Sequence, residues 1–238
     1  MKKEVFQFKQ FTINQDICAM KIGTDGVLLG AWTSLKKNPK TILDIGAGTG
    51  IIALQLAQRS KAEIIDAIEI EDNAYEQTVE NFENSPWSDR LFCYHTSLEE
   101  FVNEIESTYE LIVSNPPFYN DDFQSNNMAR NTARFTTALT FKKLISSVTK
   151  LLSKEGLFST IIPFKEEQEF ISIAKNNNLY VNTICRVKGT PTSKIKRSLL
   201  KFSFLKTKIE ITDLIIENRR HDFTKAYISL VKDFYLKM

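Results

Sequence analysis

Cysteine, histidine, glycine and proline are all scarce in this chain of 238 residues, and each scarcity excludes something. The three cysteines, Cys18, Cys93 and Cys185, stand far apart with no CxxC pair, which argues against a disulfide framework or a zinc site. They fit a reducing cytosol, so a cytoplasmic location is expected. Two histidines, His95 and His221, are too few for a histidine cluster, and no metal is expected. Eight glycines and six prolines leave no low-complexity linker, and no internal repeat is found. No apolar run reaches membrane-spanning length, and residues 1–10 are charged without an apolar core, so neither a membrane span nor a signal peptide is expected. An excess of one charge is lacking as well: the net charge is +2, so any surface for a polyanion must be local. What remains is ordinary for a soluble globular protein, 42% hydrophobic and 25% charged.

The chain is organised around residues 42–50, Ile-Leu-Asp-Ile-Gly-Ala-Gly-Thr-Gly, an apolar strand running into a glycine-rich turn and then a helix. Glycine has no Cβ, so backbone N–H groups there can approach a ligand closely. Position 51 is isoleucine, so the dinucleotide fingerprint G-x-G-x-x-G fails at its third glycine, and no Gly-Lys-Ser/Thr follows to make a P-loop. Asp44, two residues before the first glycine, would repel a pyrophosphate but can accept hydrogen bonds from an ammonium group. The Asp-x-Gly-x-Gly-x-Gly pattern resembles the S-adenosylmethionine site of Rossmann-like methyltransferases, whose cofactor carries an amino acid where NAD carries phosphates. An ordinary glycine-rich βα turn is the plainer alternative.

Upstream, Phe6, Phe8, Phe11 and Ile13 among polar residues read as a short strand or hairpin. Gly23-Thr24-Asp25-Gly26 precedes an apolar run, and Thr24 or Asp25 is a plausible N-cap of a helix ended by Asn38-Pro39-Lys40. Downstream, strands are expected over 63–70, 91–94, 109–113, 156–162 and 179–187, with a seventh through Leu200, Phe202 and Phe204. Helices are expected over 71–84 (with Ala74, Val79 and Phe82 buried), 98–105, 141–152 and 165–174. Such alternation implies a parallel sheet with helices on both faces. The last two strands, separated by a short turn, should pair antiparallel. The expected fold class is therefore α/β, a Rossmann-like, seven-stranded, mostly parallel sheet with an antiparallel last strand. One domain over 1–238 is expected, with 1–40 a strand/helix extension and 41–238 the core.

Ligands of such sheets bind beyond the carboxyl ends of the strands. Glu69 ends the second strand 19 residues after Gly50, where a carboxylate can accept both ribose hydroxyl hydrogens of a nucleoside; Asp66 and Asp72 are its rivals. The nucleoside's adenine would lie against Ile70, near Ser97 and Leu98. The fourth strand stops at Asn115-Pro116-Pro117-Phe118. Two prolines fix φ and remove two N–H donors, so the segment is stiff and presents carbonyls rather than pairing them. An exocyclic adenine amine is a poor nucleophile because its lone pair is delocalised into the ring. An Asn side-chain oxygen and a proline carbonyl can accept both amine hydrogens, favour a more tetrahedral nitrogen and position it for in-line attack on a sulfonium methyl. Phe118 would stack on the target base.

These residues together resemble the bacterial family of tRNA (adenine-N6) methyltransferases that modify adenine 37, beside the anticodon, of valine tRNA. The resemblance rests on residues 11–32, above all Gly23-Thr24-Asp25-Gly26, on residues 44–50 and 115–118, and on Tyr227-Ile228-Ser229-Leu230 with Asp233-Phe234-Tyr235. It implies a class I methyltransferase fold and S-adenosyl-L-methionine as cofactor. It also implies that Thr24 and Asp25 border the methionine end, with Gly23 among the cofactor-binding residues, that Gly46, Ala47, Gly48 and Gly50 form the cofactor turn, and that Asn115 reaches towards the reacting methyl. Ser97 stands where many relatives carry an aspartate for the cofactor's adenine amine.

From Tyr180 to Ile209 there are eight basic residues and no acidic ones, and the loop 189–193 lies at their middle. Lys194, Lys196 and Arg197 there, with Arg130 and Arg134 after Phe118, are candidate tRNA contacts; a solvated basic hairpin is the alternative. The partner expected is tRNA, with no membrane and no metal, and the chain is expected to be a monomer. Competing functions are glutamine-N5 methylation of a protein, guanine-N2 methylation of ribosomal RNA, and a non-catalytic RNA-binding module. About 40 residues before the first core strand leave little room for the N-terminal helical domain of the first. The duplicated domain usual in the second is not expected here.

Overall fold

The computed structural model describes residues 4–117 and 139–238. Strands β1 (Val5–Gln7) and β2 (Thr12–Asn14) form the expected hairpin, Phe6 opposite Ile13. Helix α1 (Thr24–Trp32) follows, but neither Thr24 nor Asp25 caps it: Gly23 is the N-cap, extended and without a side-chain bond. The alternating part then runs β3 (Thr41–Ile45), α2 (Ile51–Arg59), β4 (Ile64–Glu69), α3 (Asp72–Glu83), β5 (Leu91–His95), α4 (Leu98–Glu104) and β6 (Tyr109–Ser114). It continues with α5 (Phe141–Leu151), β7 (Leu152–Pro163), α6 (Glu167–Asn176), β8 (Tyr180–Lys188) and β9 (Ile195–Ser203). An edge strand β10 (Glu210–Ile215), a small hairpin β11 (Glu217–Arg219) and β12 (Asp222–Phe223), and helix α7 (Lys225–Val231) complete it.

The main sheet has the order β5-β4-β3-β6-β7-β9-β8-β10. Strands β5, β4, β3, β6 and β7 are parallel, and β9 is antiparallel to both β7 and β8, as the short turn before it requires. The seven expected strands are present, and an eighth, β10, pairs parallel to β8 at the edge. It was missed because an edge strand needs little apolar pattern: Leu214 is buried while Ile211 is 56% exposed.

Central strands are apolar on both faces because helices cover both. Ile42, Leu111 and Val113 join one core with α1, α2 and the first hairpin, whereas Leu43, Ile45 and Ile112 join a second with α4, α5 and α6. This is the two-residue alternation of a strand, serving two layers at once. Among the described residues no helix is long and apolar enough to cross a membrane.

Candidate active site

Strand register assembles the site. Ile45 pairs with Ile68 of β4 and with Ser114 of β6, so Gly46, Glu69 and Asn115 leave three adjacent strands at one level. The Ser114 hydroxyl donates to the Ile45 carbonyl at 2.9 Å and ties β6 to β3 there. Gly46, Gly48 and Gly50 have φ of 77°, 61° and 77°, a left-handed conformation that costs other residues about 1–2 kcal/mol each. The Gly46 and Ala47 N–H groups both donate to the Ile68 carbonyl, at 3.0 and 3.1 Å. A Cβ on Gly46 or Gly48 would meet nothing within 4 Å, whereas one on Gly50 would lie 2.6 Å from the Phe82 ring. The first two glycines border open space, and the third is wedged against α3.

Helix α3 braces the turn from behind. The Thr78 hydroxyl donates to the Gly48 carbonyl at 2.8 Å. The Asn81 amide donates to the Thr49 and Asn14 carbonyls, both at 2.9 Å, and its oxygen accepts the Asn14 N–H at 2.8 Å. The Gln77 oxygen accepts the Ile17 N–H at 3.1 Å. Sequence reasoning missed these three buried residues and placed Val79 in the core, where it is only half-buried. Their signal was positional: 74, 77, 78, 81 and 82 form one helical stripe, but three of its members are polar.

Of the carboxylates, Asp44 is fully buried; its Oδ2 accepts the Ala53 N–H at 3.2 Å and its Oδ1 has no partner among the described residues. Burial pushes its carboxyl up to about 7, against the opposing Ala53 hydrogen bond, with the Glu69 charge adding to the rise. Glu69 accepts the Gly48 N–H at 2.8 Å on one oxygen and the Ile70 and Glu71 N–H groups at 2.9 and 3.0 Å on the other. It is thereby locked to the glycine turn itself. Of its rivals, Asp66 is buried and accepts from the Tyr109 hydroxyl at 2.5 Å, and exposed Asp72 pairs with His95 at 3.0 Å.

Asn115 is half-buried, Pro116 buried and Pro117 exposed. The Asn115 Oδ1 is itself buried and has no hydrogen-bond partner among the described residues. Ile70 is 55% exposed, whereas Leu98 is buried. Ser97 caps α4: its hydroxyl donates to Glu100 at 2.8 Å and accepts the Glu100 N–H at 3.2 Å. That serine oxygen is therefore engaged within its own helix. Gly23 and Thr24 are exposed, and Asp25 accepts from Arg197 Nε at 2.7 Å. Phe118, Arg130 and Arg134 lie outside the described residues.

The basic segment comes to the same edge, since Pro163 at the end of β7 pairs with Arg197 of β9. Not all its charges face outward. Arg186 holds the buried Glu167 through Nε and Nη2 at 3.2 and 2.8 Å, and the Ser198 hydroxyl donates to the same carboxylate at 2.5 Å. Burial works to raise the Glu167 carboxyl, but Arg186 and Ser198 outweigh it and hold it below the usual range. Lys194 and Lys196 are exposed.

Residues 27–162 match the family model of the methyltransferase small domain. The tRNA1(Val) (adenine(37)-N6)-methyltransferase of Flavobacterium psychrophilum is 58% identical over 234 residues, covering 98% of this chain and 100% of that one. The protein of the same name from Christiangramia forsetii is 56% identical over 240 residues, covering 100% of both. Among solved structures, a predicted O-methyltransferase from Agrobacterium tumefaciens superposes with a TM-score of 0.68 at 19% identity, covering 88% of this chain and 96% of that one, a likeness of fold.

Proposed function

Since the chain belongs to the tRNA1(Val) (adenine(37)-N6)-methyltransferase family, we propose that it methylates N6 of adenine 37 of valine tRNA at the edge shared by Gly46, Glu69 and Asn115. The cofactor is S-adenosylmethionine, which when bound supplies an electrophilic methyl group. The residues present fit it: the open sides of Gly46 and Gly48 admit a ligand against the backbone, and the Asp44 Oδ1 is a buried acceptor lacking a donor among the described residues. In this reading Gly46, Ala47, Gly48 and Gly50 line the cofactor, Gly23, Thr24 and Asp25 border its methionine end, and Glu69 takes the ribose hydroxyls. Ile70, Ser97 and Leu98 lie by its adenine. Ser97, already hydrogen-bonded to Glu100, contributes packing and its backbone more than its hydroxyl.

Asn115 supports the reading most directly. Its Oδ1, unpaired among the described residues, accepts a hydrogen of the target amine, and the Pro116 carbonyl accepts the other, which leaves the nitrogen lone pair available for attack. The rigid Pro116-Pro117 pair holds both acceptors in place, so little reorganisation accompanies the reaction. Phe118 stacks on the target base, and Lys194, Lys196, Arg130 and Arg134 meet tRNA phosphates. Arg197 does so while anchored to Asp25. The chain works as one methyltransferase domain, a monomer in the cytoplasm, with 1–40 an extension on the core and with no metal or membrane partner.

The test is transfer of labelled methyl groups to total tRNA, then nucleoside analysis. N6-methyladenosine confined to valine tRNA is the expected product. Label in a protein glutamine, in N2-methylguanosine, or in nothing at all would overturn the assignment.

A further inference from the structure

Beside the Asn115-Pro116-Pro117 segment lies a cleft of about 430 Å³, lined among the described residues by Met20, Pro117, Pro163, Phe164, Lys165, Ile195, Lys196 and Arg197. We infer that this cleft receives the nucleotide next to the target adenine, with Phe164 as the stacking platform for its base and Lys165 and Lys196 on its phosphates. The inference rests on the methyltransferase reading and adds a binding residue that the sequence motifs do not assign.

Three observations carry it. The first is place. Phe164 follows β7 directly, beyond a strand that runs parallel to β6, so it leaves the sheet at the same edge as Asn115, and Pro117 and Phe164 both line the cleft. A nucleotide chain whose target base sits at Asn115 must pass its neighbour across this ground.

The second is chemistry. Phe164 is 36% exposed and Met20 69% exposed, two apolar side chains that line the cleft. The charged residues among those lining the cleft are Lys165, Lys196 and Arg197, all basic. Asp25 pairs with Arg197 and Glu166 lies 3.9 Å from Lys165, but no carboxylate is among the described lining residues. An aromatic face beside such cations suits a single-stranded nucleotide, because every base has a π-face and every linkage a negative charge.

The third is preorganisation. The Arg186 guanidinium carbon lies 5.5 Å from the centroid of the Phe164 ring. Arg186 is in turn held by buried Glu167, which also accepts from Ser198. A ring backed by a fixed cation loses little freedom when a base stacks on it. This also gives the Glu167–Arg186 pair a purpose beyond packing the sheet edge.

The test is a double-mutant cycle read as equilibrium binding of valine tRNA by the full chain. Two RNAs carry an abasic nucleotide immediately 5′ or 3′ of the target adenine, and a third is intact. Phe164→Leu should weaken binding of intact tRNA about tenfold, and Phe164→Trp should restore it. One abasic RNA should bind the parent protein about as weakly as Phe164→Leu binds intact tRNA, and Phe164→Leu should lose nothing more on it. Lys165→Gln should lower the slope of log affinity against log salt by about 0.7, which a purely structural lysine would not do. Equal losses from the abasic site in both proteins, or intact binding by Phe164→Leu, would overturn the inference while leaving the methyltransferase reading standing. A parent protein that transfers no methyl to tRNA would take both down.

Discussion

Asn115 keeps a buried carbonyl oxygen without a partner among the described residues, an arrangement that costs about 1–3 kcal/mol when nothing completes it. Asn115→Ala removes the acceptor and that cost together. Its melting temperature should hold or rise, while single-turnover methyl transfer should fall about 10²–10³-fold. Turnover at the parent rate would move the amine acceptor to another residue. Asp44 makes a different prediction, through protons. Its carboxyl is raised to about 7 by burial, above its unfolded value. The stability this contributes is therefore fully present below pH ~4 and lost as pH rises through about 7, with a span on the order of 4 kcal/mol. In urea titrations without cofactor from pH 4 to pH 8, the parent protein should lose stability relative to Asp44→Asn as pH rises. Parallel pH profiles would mean that Asp44 is solvated in the folded chain.

At the level of elements, the β8–β9 hairpin divides its charges between structure and ligand. Arg186 and Arg197 are committed to Glu167 and Asp25, so replacing Arg197 would disturb the start of α1 as well as any RNA contact. Lys194→Gln with Lys196→Gln gives the cleaner measurement: the salt slope of tRNA binding should fall by about 1.4 with folding unchanged. An unaltered slope would remove the hairpin from the interface. Much of this element's placement was legible in the sequence, since the loop 189–193 between two apolar strands predicts an antiparallel pair at the ligand edge. The glycine turn and Asn115-Pro116-Pro117 were equally legible, because glycine and proline mark backbone geometry directly. Less so were Gln77, Thr78 and Asn81, whose burial follows from what packs over α3 and not from their own polarity. The Asp25–Arg197 pair joins residues 172 positions apart and became visible only once the sheet brought β9 beside α1.

Across the whole molecule, the two ends of the chain close on one another. Phe8 bridges to Tyr235, the Lys9 N–H donates to the Phe234 carbonyl at 2.8 Å, and Phe8 stacks on Phe11 with centroids 4.7 Å apart. Phe8 is 2% exposed, so Phe8→Ala should cost about 3–5 kcal/mol in urea unfolding, with methyl transfer near normal where the variant is still folded. A smaller loss would show that the ends fray independently of the core. The leading hairpin thus belongs to the same fabric as the sheet. One amide in α3 grips both Asn14 and Thr49. Trimming the first twenty residues would keep all eight strands of the sheet yet slacken the rim against which the cofactor rests, so anyone transplanting this pocket to a new scaffold must carry the opening segment along.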